Sequence, residues 1–311
     1  MKVLVTGATG FVGKVTVREL ITRGHSVYAL ARQTAQFENL KKLGAKPFRG
    51  DLGNLPSRET LPGFEAVIHL AGIIKASTPD TFYKVNTEGT QKLLEWLDVK
   101  ILKHFVHVSS ISARGPNHNK NDLTGTGPVS HYGKSKLQSE SIVSAMLDPK
   151  QFTIVRPPVI YGPGDQATLP LFKMFAWGHF FCARKSQTIS MVYVEDVARL
   201  LATLVSKPSQ NVIYPDDGAQ GHSLKEILKT ASKIFGKPIR QHHLPKTLLA
   251  SLAATTTVIG RLTGVPLMFN WDKFCEMQQE FWVCDNDGCF AKFNLPDPVS
   301  LAKGMALASH L

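Results

Sequence analysis

The feature that most constrains this chain is the order of its first half, where short apolar runs alternate with longer amphipathic ones. Strands are expected at Lys2–Thr6, Ser26–Ala31, Ala45–Arg49, Ala66–Leu70, Phe105–Ser109 and Thr153–Arg156. Helices are expected between them, at Gly10–Arg23, Gln36–Leu43, Phe82–Leu97 and Ser130–Met146. Strands that read as nearly continuous apolar runs are buried on both faces. Their alternation with helices builds a parallel sheet covered on both sides. The expected fold class is therefore α/β, a doubly wound parallel sheet.

After Tyr161-Gly162-Pro163-Gly164 the pattern becomes irregular. Strand–helix order returns at Ile189–Val205 and Val212–Tyr214, and a mostly helical tail follows from Ser223. This predicts a smaller, mostly helical C-terminal lobe on 165–311, with 189–215 returning to the sheet domain on 1–164. A length of 311 residues with 43% hydrophobic content suffices for a large core and argues against disorder.

The net charge of +12 is shared between the halves, with 20 basic and 12 acidic residues in 1–150 and 16 and 12 in the rest. A solvated basic surface that attracts anionic ligands accounts for it. No zinc-finger or RNA-binding motif accompanies the charge, so no nucleic-acid partner is expected. Cys182, Cys275, Cys284 and Cys289 are too few to scaffold such a chain and read as free thiols of a reducing compartment. Cys284 and Cys289 lack the spacing and partners of a zinc site, and no metal is expected. Met1 to Val5 enters a strand at once with no signal peptide, so the expected location is cytoplasmic. The apolar stretch from Leu244 to Ile259 carries Pro245 and Lys246 and falls short of the ~20 residues of a membrane span.

Chemistry enters at Thr6-Gly7-Ala8-Thr9-Gly10-Phe11-Val12-Gly13, between the first strand and the first helix. Glycines there let the backbone turn and approach a pyrophosphate, whose charge suits a helix N-terminus. The next strand ends in Ala31-Arg32, where NAD-preferring sites usually carry an acid for the ribose hydroxyls. A guanidinium suits a 2′-phosphate instead, which favours NADP over NAD. Asp51, beside Leu52, stands where it can accept from an adenine amino group. Tyr132 and Lys136 lie four apart on one helical face. An ammonium beside a phenol stabilises phenolate and lowers its pKa from ~10, which readies the phenol for proton transfer to or from an alcohol oxygen. Ser109-Ser110, at a strand end upstream, offers a hydroxyl to the same oxygen.

Taken together and in this order, the motifs resemble those of the extended short-chain dehydrogenase/reductases, the NAD-dependent epimerase/dehydratase superfamily. The resemblance also includes His69-Leu70-Ala71-Gly72, Val85-Asn86-Thr87-Glu88-Gly89-Thr90, Arg156-Pro157 with Tyr161-Gly162-Pro163, and Val194-Glu195-Asp196-Val197-Ala198. It implies a Rossmann-type sheet with Ser110, Tyr132 and Lys136 as catalytic residues, Lys136 also holding the nicotinamide ribose. By the same resemblance the cofactor side comprises Gly7, Thr9, Gly10, Phe11, Val12, Gly13, Arg32, Asp51, Leu52, Leu70, Ala71, Gly72 and Pro157. Asn86 becomes a structural or cofactor-side residue, and His69 a structural one.

Departures narrow the substrate. Nucleotide-sugar members usually carry Asn where Val159 stands and often Arg where Ile189 stands. Arg156 to Pro163 and Val192 to Asp196 look closer to the 3β-hydroxysteroid dehydrogenase and dihydroflavonol-reductase-like branches. So do Trp282, Asp285, Ser300-Leu301 and Gly304, although Asp287-Gly288-Cys289 and Phe293-Asn294 depart from that pattern. The stretch from Leu244 to Leu262, with Leu248, Leu249, Leu252, Val258 and Ile259, is expected to wall an apolar pocket or to complete the second lobe's core.

The expected activity is NAD(P)-dependent interconversion of a secondary alcohol and a ketone on a small, apolar substrate, by a chain that allows a homodimer. Two alternatives stand beside it: a nucleotide-sugar epimerase or dehydratase, and a non-catalytic dinucleotide-binding subunit or sensor.

Overall fold

A computed structural model describes residues 1–122, 124–209, 212–285 and 288–309, so Asp287 lies outside the described residues. The first half runs β1 (Lys2–Thr6), α1 (Phe11–Thr22), β2 (Ser26–Ala31), α2 (Phe37–Lys42), β3 (Lys46–Arg49) and β4 (Ala66–His69). It continues through α3 (Pro79–Phe82), α4 (Gly89–Trp96), β5 (His104–Val108), α5 (Ile111–Arg114), α6 (His131–Met146) and β6 (Phe152–Val155). All six strands pair in parallel in the order β3-β2-β1-β4-β5-β6. The order reverses between β1 and β4, and ligands of open α/β sheets sit outside the strand C-termini at such a point.

Alternation along the strands explains the two-sided core. Val3, Val5, Ile68 and Val106 share one cluster, while Leu4, Val67 and Phe105 share the other with Leu93 and Val143. Adjacent strand residues point to opposite faces, so both faces of the sheet are covered.

The second half runs β7 (Val159–Tyr161), α7 (Leu169–Trp177), β8 (His179–Cys182), β9 (Thr188–Ile189), β10 (Met191–Tyr193) and α8 (Val194–Leu204). After these come β11 (His222–Ser223), α9 (Leu224–Ile234), β12 (Arg240–His243), α10 (Lys246–Thr263), α11 (Trp271–Met277), β13 (Phe281–Trp282), α12 (Cys289–Lys292) and α13 (Leu301–Ala308). Helix α8 packs on α1, with Val197, Leu200 and Leu201 joining the core of the sheet. The short strands form three small sheets, β10-β7, β11-β9-β13 and β12-β8.

Two features differ from the sequence expectation. The helix expected over Phe82–Leu97 is interrupted by π-helical turns at Tyr83–Glu88. They carry the buried Asn86, whose amide bonds Ile73 from both ends: its Oδ1 accepts from Ile73 N at 2.8 Å and its Nδ2 donates to Ile73 O at 3.1 Å. The expected helical tail contains strands β12 and β13. The mostly exposed Arg-Gln-His-His of β12 has no alternating apolar face, and its backbone pairing with β8 defines it as a strand.

Three histidines lie inside the sheet domain. His69 bridges Thr6 at 2.7 Å and Thr90 at 3.0 Å, His104 bonds Thr153 at 2.9 Å and His107 bonds Ser139 at 2.9 Å. Burial pulls His69 down to about 3, His104 down to about 4, and His107 well below the ordinary value. In the folded state they remain neutral where unfolded histidine, with a pKa of about 6.5, takes up protons. Stability is therefore full above about pH 6.5 and declines as pH falls toward the folded values. Thermal unfolding is expected to be flat near pH 8 and to fall steeply below about pH 6.5, with His104 alone contributing on the order of 3 kcal/mol. A His104→Asn variant whose melting keeps the full wild-type acid slope contradicts this assignment.

Candidate active site

The Gly7 turn places backbone where side chains cannot follow. Gly7 has φ 71° and lies under Leu70–Ala71, so an added Cβ would meet Ala71 N at 2.7 Å. A Cβ on Gly13 would sit 2.1 Å from the Gly7 carbonyl oxygen. Gly10 begins α1 with no side-chain cap and no acid in the first turn. The first N–H groups of a 12-residue helix therefore face outward without a carboxylate competing for them. Thr9, Phe11 and Val12 flank this cradle, half-buried.

Gly50 N donates to Ala31 O at 3.1 Å, which brings Arg32 and Asp51 to neighbouring strand ends. Arg32 is exposed and has no ion-pair partner among the described residues. Asp51 uses Oδ1 to accept from Gly53 N at 2.8 Å and Asn54 N at 2.9 Å, and Leu52 is buried against Gly89. Leu70, Ala71 and Gly72 run from the end of β4 along the Gly7 turn. Ala71 N donates to Thr6 Oγ1 at 3.2 Å, and Asn86 braces Gly72 and Ile73.

Ser110 ends the β5 segment and caps α5, its Oγ accepting from Ser112 N at 3.1 Å. Pro157 is buried beside it, and its carbonyl accepts from Ile111 N at 3.0 Å. Tyr132 and Lys136 rise from α6, which Ser130 caps by accepting from Gly133 N at 3.0 Å. Burial pushes the Tyr132 phenol up to about 12, against a hydrogen bond with the Ser110 side chain that pulls it down. The Glu276 carboxylate raises it further, so the lowering that the spacing of Tyr132 and Lys136 led us to expect is not seen, and the phenol holds its proton at neutral pH. Lys136 is almost wholly buried, and its Nζ donates to Val108 O at 2.8 Å. Burial pulls its amine down to about 8, and the Glu140 carboxylate pulls it back up. It is still mostly charged at neutral pH.

Four residues that complete the site were not singled out for these roles from sequence. Glu140 stands one turn beyond Lys136 and is itself buried against Arg156, whose Nε donates to it at 2.9 Å. Its i,i+4 spacing from Lys136 was the available signal. Asp272 of α11 accepts from His131 N at 2.6 Å and Tyr132 N at 3.0 Å, and Glu276 accepts from Ser130 Oγ at 2.9 Å. Two carboxylates from α11 thus cap the helix that carries Tyr132. About 140 residues separate the partners, beyond any local pattern.

The apolar stretch in α10 meets neither expectation in full. Leu249 is buried with Ala183 and Phe274, whereas Leu248, Leu252, Val258 and Ile259 open to solvent.

Comparison with known proteins matches this architecture. Residues 3–215 fit the model of the NAD dependent epimerase/dehydratase family. A ceramide reductase of Caulobacter vibrioides (strain NA1000 / CB15N) is 32% identical over 302 residues, covering 95% of this chain and 91% of that protein. A decarboxylating sterol-4-alpha-carboxylate 3-dehydrogenase of Dictyostelium discoideum is 24% identical over 290 residues, 86% of this chain and 88% of the other. The UDP-glucuronic acid 4-epimerase of Bacillus cereus, solved with UDP-glucuronic acid and NAD, superposes with a TM-score of 0.76 at 22% identity, covering 100% and 98% of the two chains. This chain belongs to the NAD dependent epimerase/dehydratase family, as its motifs led us to expect.

Removing the Asp272 cap leaves two N–H groups of the first turn of α6 without their acceptor. Asp272→Ala is expected to lower the unfolding free energy by about 1–2 kcal/mol, and Asp272→Asn, which keeps an acceptor, by less. Denaturant titration of the two variants checks this, and equal or negligible losses contradict it.

Proposed function

We propose that this chain is an NAD(P)-dependent oxidoreductase that interconverts a ketone and a secondary alcohol on an apolar substrate. The observation that carries the reading is the convergence of Ser110, Tyr132 and a buried, charged Lys136 at the C-terminal edge of the sheet. In this reading 1–164, with 189–215, holds the cofactor, and 165–311 selects the substrate. Four cysteines without a disulfide suit a cytoplasmic, reducing setting.

The residues fit a dinucleotide. The glycine cradle at the head of α1 has no room for a Cβ at Gly7 or Gly13 and presents free N–H groups to a diphosphate. Arg32, exposed and with no ion-pair partner among the described residues, suits a 2′-phosphate, and NADP is favoured over NAD. Asp51 and Leu52 would flank the adenine, Gly72 and Lys136 the nicotinamide ribose, and Pro157 the nicotinamide face. When bound, the nicotinamide supplies or accepts the hydride.

The protein's share is proton handling and orientation. The Ser110 hydroxyl holds the substrate oxygen beside the Tyr132 phenol. Tyr132, protonated at neutral pH, donates to the alkoxide that forms as the carbonyl carbon gains hydride. The Lys136 ammonium stabilises the phenolate left behind. At neutral pH the phenol therefore starts in the protonated form that the reductive step consumes. The apolar preference is supported by Val159, open to solvent, and by Ile189, where a sugar-nucleotide diphosphate would want polar contacts. It is supported also by the two sequence relatives, whose names denote lipid substrates.

Tyr132→Phe should cost ~10²–10⁴-fold in turnover of a long-chain or steroid-like ketone while leaving the cofactor dissociation constant nearly unchanged. Near wild-type turnover would overturn the assignment. Arg32→Ala is expected to weaken NADP binding by about tenfold or more and NAD binding hardly at all. Fluorescence titration of both cofactors decides it, equal losses counting against the 2′-phosphate role.

A further inference from the structure

Outside the candidate site, the second lobe carries an apolar face that the chain itself leaves uncovered. Helix α10 buries only Leu249, Ala253 and Gly260. Leu248, Leu252, Val258, Ile259 and Leu262 are exposed, Leu262 by 82%. At about 100° per residue these five occupy an arc of about 120°, away from the buried stripe. Val265, Met268 and Trp271 extend the exposed apolar surface past the helix end. Eight of the 17 large apolar side chains exposed among the described residues fall in this stretch of 24. Such a concentration marks a contact surface.

Charge identifies the kind of contact. Residues 227–271 contain Lys229, Lys233, Lys237, Arg240, Lys246 and Arg261 and no acidic residue. Residues 166–194 contain Lys173, Arg184 and Lys185, again with no acid. Pairing of β8 with β12 joins the two segments. Apart from Arg184, which pairs with Glu280 at 2.7 Å, these basic side chains are exposed. At the same junction Trp177 is 73% exposed, and Lys237 Nζ donates to the neighbouring Ala176 carbonyl at 2.8 Å. Two copies of this face would set like charge against like. A broad apolar helix face flanked by two segments that carry basic and no acidic residues, with an exposed tryptophan, complements an anionic bilayer.

We propose that α10, together with the β8–β12 edge, docks this protein on anionic membrane surfaces, the helix lying in the interface with its Leu248–Leu262 face in the lipid. None of the helices among the described residues is long and apolar enough to cross a membrane. Docking goes beyond the proposed reaction and does not depend on it. It would, however, bring an apolar substrate to the lobe that selects it.

The test is flotation of the full chain with vesicles of phosphatidylglycerol and phosphatidylcholine in equal parts, and with phosphatidylcholine alone. The chain is expected to float with the anionic vesicles and to bind the neutral ones about tenfold more weakly or worse. Leu252→Ser with Leu262→Ser changes two exposed positions, and circular dichroism verifies that the fold is kept. This double variant should lose about tenfold in affinity for the anionic vesicles, as should Lys237→Glu with Lys246→Glu. Absence of flotation with anionic vesicles overturns the proposal. So does flotation indifferent to the leucine variant, which would mean charge attraction without insertion. A dimer that the leucine variant dissociates while flotation persists would assign the face to a second copy instead. Flotation without ketone reduction would sink the proposed reaction and leave docking intact, and the reverse result would do the opposite.

Discussion

The buried ammonium of Lys136 is the constraint around which the candidate site is organised. A cation out of water needs a partner, or its pKa falls until it is neutral. Val108 supplies a carbonyl from the end of β5, and Glu140 supplies the opposing charge one turn along α6. Glu140 is buried in its turn and is held by Arg156 after β6 and by the Ser109 hydroxyl. A buried carboxylate of this kind is tolerable only with such partners. The ends of β5 and β6 and the middle of α6 are therefore locked to one another by one charge and its compensation. His69 and His107 lie near the same ammonium, which helps keep both neutral. The position of the Lys136 ammonium is thus fixed by the Val108 carbonyl and the Glu140 charge.

Much of this was legible in the chain because it is written locally. Six apolar runs became the six strands of one sheet within about two residues, since burial on both faces leaves little room for polar interruption. Gly7 and Gly13 stood out as turn glycines, and neither position has room for a Cβ against the neighbouring backbone. Tyr132 and Lys136 share a helical face because spacing alone dictates it. What was not legible depends on contacts formed in three dimensions. Asp272 and Glu276 reach the head of α6 from α11, about 140 residues along the chain. The acidity of Tyr132 follows from the burial of its phenol, with the Glu276 carboxylate raising it further against the Ser110 hydrogen bond. Helix α10 read as core or pocket wall because apolar composition does not say which side faces water.

Several residues of the family pattern prove to be architectural. Tyr161 is fully buried, and a Cβ on Gly304 would lie 2.2 Å from its hydroxyl, so the two positions need each other for α13 to pack. Asp196 accepts from Val299 N at 2.7 Å and thereby anchors the chain that leads into α13. Trp282 donates to the Glu276 carbonyl at 3.2 Å and so supports the helix that caps α6. A motif shared across a family therefore mixes chemistry with packing. Function has to be argued from the groups that converge rather than from the fold that hosts them.

The most direct measurement is the redox balance of a single preparation supplied with free NADPH and an apolar ketone. The account predicts one nicotinamide oxidised for each secondary alcohol formed, with oxidised cofactor released to solution and replaced. Conversion of a UDP-sugar to its epimer, with cofactor retained and none consumed overall, would contradict it.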